Sequence, residues 1–147
     1  LGTDADLAVD PLGDSEWAAD LMELIKVRAR TLGELAEQAR PFLCTALKYD
    51  ERAVAKNWAK DAEAATERLE RVKRAFATSE WTHAALETSI RGLAADMEIG
   101  AGKLIHPLRV ALTGNMASPG IFDVLVLLGQ NRVDARIEGA LERIRGL

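Results

Sequence analysis

From Ser15 onward, apolar residues recur at spacings of three and four, which is the signature of helices burying one face. Trp17, Leu21, Leu24 and Ile25 form the first such stripe, with Ser15 as its predicted N-cap. Thr31-Leu-Gly-Glu34 has the spacing of a capping box and opens a second helix, which Pro41 is expected to stop. Phe42 to Tyr49 reads as an apolar connector, and a long polar helix follows over Asp50–Ala77 with a break near Trp58. Ser79 is the expected cap of a helix striped by Leu86, Ile90, Leu93 and Met97 and ended by Gly100. A further helix covers Gly102–Leu112, where Pro107 is tolerable only near a first turn or at a kink. Ser118 as N-cap and Pro119 at the first helical position predict a helix through Leu128, which Gly129 stops. Asn131 is the expected cap of the last helix, striped by Val133, Ile137, Leu141 and Ile144.

No strand-like alternation competes with this pattern, so the predicted fold class is all-α. The helices are short and numerous, which favours two packed helical subdomains over one bundle. The expected division is an irregular acidic lead-in over 1–14, a first helical subdomain over 15–77 and a C-terminal helical subdomain over 78–147.

The chain has 147 residues, enough to bury a real core without staples. Its single cysteine, Cys44, has no partner for an internal disulfide, and two histidines, His83 and His106, make no metal-ligand cluster. No apolar run approaches the roughly 20 residues of a membrane span, and the N-terminus lacks the pattern of a signal peptide, so a cytoplasmic protein is expected. Leu1 stands where a methionine would open a natural chain, which points to sequence upstream.

Net charge is −4, but it is unevenly distributed. Residues 1–23 carry seven acidic side chains and no Lys or Arg, leaving 19 basic and 16 acidic residues in the rest. That mildly basic body is compatible with nucleic-acid binding without demanding it. An equally open reading of the amphipathic stripes is a helical protein-interaction module that needs no RNA. Catalytic signals are thin: there is no HExxH and no Cys–His pairing, and Gly100-Ala-Gly102-Lys103 lacks both the spacing and the preceding strand of a phosphate loop.

Three ordered blocks change the picture. Pro107-Leu-Arg-Val-Ala-Leu-Thr-Gly114 is followed by Ser118-Pro-Gly-Ile-Phe122 and then by Leu127-Leu-Gly-Gln-Asn-Arg132 with Arg136-Ile137. This succession resembles the C-terminal anticodon-binding domain of bacterial glutamyl-tRNA synthetases. Lys26-Val-Arg-Ala-Arg-Thr-Leu32 and Trp81-Thr-His-Ala-Ala-Leu86 are similar to the family's helical cage, extending the likeness over most of residues 15–145. The resemblance implies a region that binds the anticodon loop of tRNA(Glu), within a ligase that joins glutamate to that tRNA using ATP. It also implies that ATP and Mg belong to an upstream catalytic domain of the same chain, that this region has no catalytic residue or cofactor of its own, and that neither DNA nor membrane is a partner.

On that basis Arg109 is the leading candidate for contact with a base, because a guanidinium is a planar fork of donors that can stack or hold a base edge. Ser118 and Pro119 present the start of a helix, and Ile121 is expected to add apolar contact. Arg28 is the match for the arginine that the family places in its first helical subdomain, with Arg30 as the alternative. Lys103, Arg132 and Arg136 are candidates for phosphate contact. Trp17, Trp58 and Trp81 read as core residues, and neither histidine is given a role.

Overall fold

The computed structural model describes residues 15–26, 31–43, 47–116 and 118–147, and every regular element among them is helical. The all-α expectation is met. The predicted lead-in over 1–14, Arg28, Arg30 and Cys44 lie outside the described residues. Two compact units divide the chain after Lys48.

The first unit holds α1 (Ser15–Lys26) and α2 (Leu32–Leu43), which pack on each other. Leu21 and Ile25 from α1, and Ala39 and Phe42 from α2, are buried. Thr31 Oγ1 accepts the Glu34 amide at 3.1 Å, so the threonine half of the expected capping box is present. Pro41 does not stop α2, which runs on to Leu43. A proline removes one hydrogen bond to the preceding turn while its own φ stays helical, so a helix can pass through it for its last few residues.

The second unit contains α3 (Glu51–Asn57), a 3-10 turn (Ala59–Asp61), α4 (Ala62–Ala77), α5 (His83–Asp96), α6 (Gly102–Thr113), α7 (Ile121–Leu128) and α8 (Gln130–Arg145). The expected break near Trp58 is there, between α3 and the 3-10 turn. Asp50 and Asp61 cap the two helical segments through the amides of Ala53 and Ala64. The division expected between residues 77 and 78 falls inside this unit. α4 packs on α8 and α5, and a cut after Ala77 would strip the cover from Leu69, Val72 and Phe76, all buried.

α6 is the central element. It touches α3, α4, α5, α7 and α8, and its sequence explains why: Leu104, Leu108, Val110, Ala111 and Leu112 are all buried, leaving Lys103, His106 and Arg109 as a narrow polar stripe. Pro107 sits in its second turn, further in than expected. The carbonyl that loses an amide partner belongs to exposed Lys103, where water can serve it, and the Pro107 carbonyl itself accepts the Trp58 indole N–H at 3.3 Å.

Several helix starts and stops differ from the expected ones. Thr82, not Ser79, caps α5, accepting the Ala85 amide at 3.2 Å. The intervening chain is held outside the helix by Trp81, whose indole donates to the Leu125 carbonyl at 2.8 Å and whose ring meets Phe76 edge-on. α5 ends before Gly100, in a paired closure where Glu98 donates to Ala95 and Ile99 to Ala94, with Glu98 at φ 56°. α7 begins at Ile121 with Gly120 as its cap, so Ser118 and Pro119 precede the helix rather than start it. Gly129 stops α7 as predicted, but it also caps α8, which places Asn131 inside the helix.

Candidate nucleic-acid interface

Arg109 and the Ser118–Gly120 segment are joined by the turn that leaves α6, and this turn is held from several sides. Gly114 ends α6 in a left-handed conformation, φ 77°, its amide closing on Val110 at 2.8 Å. Thr113, 3% exposed, lies just before it. Its hydroxyl proton is within reach of the Arg109 carbonyl at 2.8 Å and the Asn115 carbonyl at 3.1 Å, and its oxygen accepts the Asn115 amide at 3.3 Å. From α3, the Asp50 amide donates to the Gly114 carbonyl at 2.8 Å, and Asn57 Nδ2 meets Met116 Sδ at 2.7 Å. From α8, Arg136 Nη1 donates to the Leu112 carbonyl at 2.6 Å.

Arg109 is half-buried with its Nε covered, so it is neither sealed in the core nor splayed on the surface. Ser118 and Pro119 are half-buried beside the turn, and the Ser118 hydroxyl donates to the Pro119 carbonyl at 2.8 Å. The apolar contact expected of Ile121 is not on offer, because its side chain is 3% exposed and belongs to the core. Half-buried Phe122 and Leu127 and exposed Val126 are the apolar side chains that α7 shows to solvent, with the His83 ring edge-on to Phe122 at 5.4 Å. Asp123 occupies the first turn of α7, 3.8 Å from His83.

Of the three candidate phosphate contacts, Arg132 and Arg136 stand one turn apart on α8, while Lys103 is on α6. Lys103 is exposed near the start of α6, about 15 Å of helix rise from Thr113. Arg132 lies in the first turn of α8, half-buried with Nη1 covered. Arg136 is also half-buried, and its bond to Leu112 makes it a cap on the end of α6, where a cation complements the helix dipole. Among the described residues no His, Cys, Asp and Glu grouping could hold a metal ion, and no helix is long and apolar enough to cross a membrane.

Sequence reasoning passed over Asp50, Asn57 and Tyr49 at this turn and at α8, because the contacts that place them there reach 59 to 94 residues along the chain. Tyr49 stacks edge-on against Trp58 at 5.0 Å and lies against α8, near Gly139 and beneath Arg143. Burial raises its phenol pKa, an effect opposed by the charges of Arg143 and Arg136. A raised value in the folded state means that this contribution to stability is whole below the unfolded phenol's pKa, about 10, and fades as pH rises through the folded value. Urea melts at about pH 8 and about pH 11 should show the chain weakening at the higher pH, with Tyr49→Phe removing part of that loss. An equal loss in both proteins would refute it.

Residues 5–141 match the family described as "Anticodon binding domain". The chain is 44% identical over 132 residues to glutamate–tRNA ligase 1 of Erythrobacter litoralis, an overlap of 88% of this chain and 27% of that protein. It is 39% identical over 120 residues to the glutamate–tRNA ligase of Thermus thermophilus, covering 82% of this chain and 25% of that one. Among solved structures, a glutamate tRNA ligase from Elizabethkingia meningosepticum superposes with a TM-score of 0.80 at 26% identity, over 89% of this chain and 26% of that chain. The chain thus spans roughly a quarter of the length of the relatives it matches.

Proposed function

The chain belongs to the anticodon binding domain family, and from that membership we propose that it is the part of a glutamate–tRNA ligase that reads the anticodon loop of tRNA(Glu). The observation that supports this reading is that the turn between Arg109 on α6 and the Ser118–Gly120 segment is clamped from α3 and α8. An unpaired loop base is recognised by a planar stacking surface and by donors fixed in direction, and a guanidinium rooted on the central helix supplies both. Fixing the donor beforehand lowers the ordering cost of binding.

The start of α7 suits a base edge better than a phosphate. Asp123 already places a carboxylate in that first turn, where it satisfies the helix dipole and repels a second anion. Pro119 adds a rigid, half-exposed face against which a base can pack. Arg28, with Arg30 as the alternative, is proposed for a second contact from the first unit, and Lys103 and Arg132 for phosphates further along the RNA.

In this reading the ligase chemistry, with ATP and Mg, belongs to a catalytic domain elsewhere in the same longer chain, working in the cytoplasm where tRNA is charged. This region contributes recognition only. The test is binding of tRNA(Glu) to Arg109→Ala, with circular dichroism to show that the variant is folded. A loss of about 1–3 kcal/mol is expected, the usual worth of a fixed base contact, and it should be much smaller for a tRNA whose anticodon has been replaced. Unchanged affinity in a folded variant would falsify the assignment.

A further inference from the structure

We propose that Arg136 and Thr113 are positioning residues for anticodon recognition: they hold the end of α6 so that Arg109 and the Ser118–Gly120 segment face one nucleotide together. The proposal rests on the anticodon reading above and replaces the phosphate contact expected of Arg136.

Thr113 is the one polar residue in the buried set among the described residues. A buried hydroxyl is unfavourable unless its bonds are made, and here the bonds go to the two backbone segments that need to stay in register. One is the Arg109 carbonyl on α6, and the other is Asn115 in the turn toward Ser118. Arg136 acts at the same place from outside. The last carbonyls of a helix lack amide partners, and Nη1 supplies a charged donor to the one at Leu112. That bond ties the end of α6 to α8, so it opposes fraying of the final turn, one residue before Thr113. Any unwinding there would rotate Arg109 relative to Ser118, and a shift on the order of 1 Å is enough to degrade a fixed recognition geometry.

The experiment uses the full-length ligase carrying this region and measures aminoacylation with the cognate tRNA and with an anticodon-substituted tRNA. Arg136→Met and Thr113→Val should raise KM for the cognate tRNA by roughly fivefold to tenfold while kcat is kept. Discrimination against the substituted tRNA should fall by a similar factor, and the dependence of log KM on log salt should keep its slope. Arg136→Lys and Thr113→Ser, which retain a donor, should recover most of the effect. A shallower salt slope with discrimination intact would overturn the proposal and make Arg136 a phosphate contact. So would an unchanged KM, or a joint collapse of kcat and KM that the conservative variants do not rescue. Arg109→Ala separates the two levels: if it raises KM and the other variants do not, positioning alone fails. If it too leaves KM unchanged, the anticodon reading fails.

Discussion

Replacing Trp58 with alanine is expected to destabilise the Tyr49–Leu147 unit by about 3–5 kcal/mol, the usual cost of truncating a fully buried large aromatic side chain. Trp58 is 0% exposed and lies where the chain changes from α3 to the 3-10 turn. Its ring packs edge-on against Tyr49, and its indole N–H donates to the Pro107 carbonyl of α6. The substitution therefore opens a cavity and removes the indole donor that one carbonyl of the central helix accepts in addition to its helical bond. Because a whole domain is stable by only about 5–15 kcal/mol, a large share of the margin would go. Trp58→Phe keeps most of the ring and loses the donor, so it should fall between the wild type and alanine. Urea denaturation followed by circular dichroism reads the difference, and a Trp58→Ala midpoint close to wild type would show that the neighbours close over the gap.

Gly129→Ala is expected to cost about 1–3 kcal/mol through the backbone alone. Gly129 stands between α7 and α8 at φ 84° and ψ 157°, a region open almost only to glycine. An added Cβ would meet nothing within 4 Å, so no packing clash contributes. The strain is set by the junction: α7 closes on Gly129 through a bond to the Leu125 carbonyl, and α8 opens on the Gly129 carbonyl through Val133, leaving no spare residue to absorb a change in φ. As a control, Gly92→Ala in the middle of α5, where a Cβ also meets nothing, should stabilise the chain by a few tenths to about 1 kcal/mol, since alanine is the better helix former. If both variants lose the same stability, backbone strain at Gly129 is not the cause.

The differences between expected and observed helix caps share a physical origin. Ser79, Ser118 and Asn131 are each good capping residues by local chemistry, yet none caps a helix. At α5, Trp81 fixes the boundary by reaching Leu125 on another helix. At α7, burial of Ile121 sets the start, and the Ser118 hydroxyl turns to the Pro119 carbonyl instead. At α8, Gly129 is the single residue between the two helices, so Gln130 is already helical, and Gln130 Nε2 reaches the Phe76 carbonyl on α4. A cap contributes about 1 kcal/mol, less than the burial of one large apolar side chain, so tertiary contacts choose among local candidates.

Periodicity by itself determined that the chain is helical, where its apolar stripes run, that the long polar helix breaks at Trp58 and that Gly129 ends α7, because these follow from spacing and backbone preference within a few residues. The motif blocks single out Arg109 and Ser118-Pro119 as candidates for RNA contact. Only the tertiary structure decided that α4 belongs with α8, that Ile121 is core and that Arg136 caps α6. The same is true of the clamp that Asp50 and Asn57 place on the turn after Gly114. Those outcomes depend on which distant surfaces meet, and an arginine spaced for a ligand looks no different along the chain from one spaced for a neighbouring helix end.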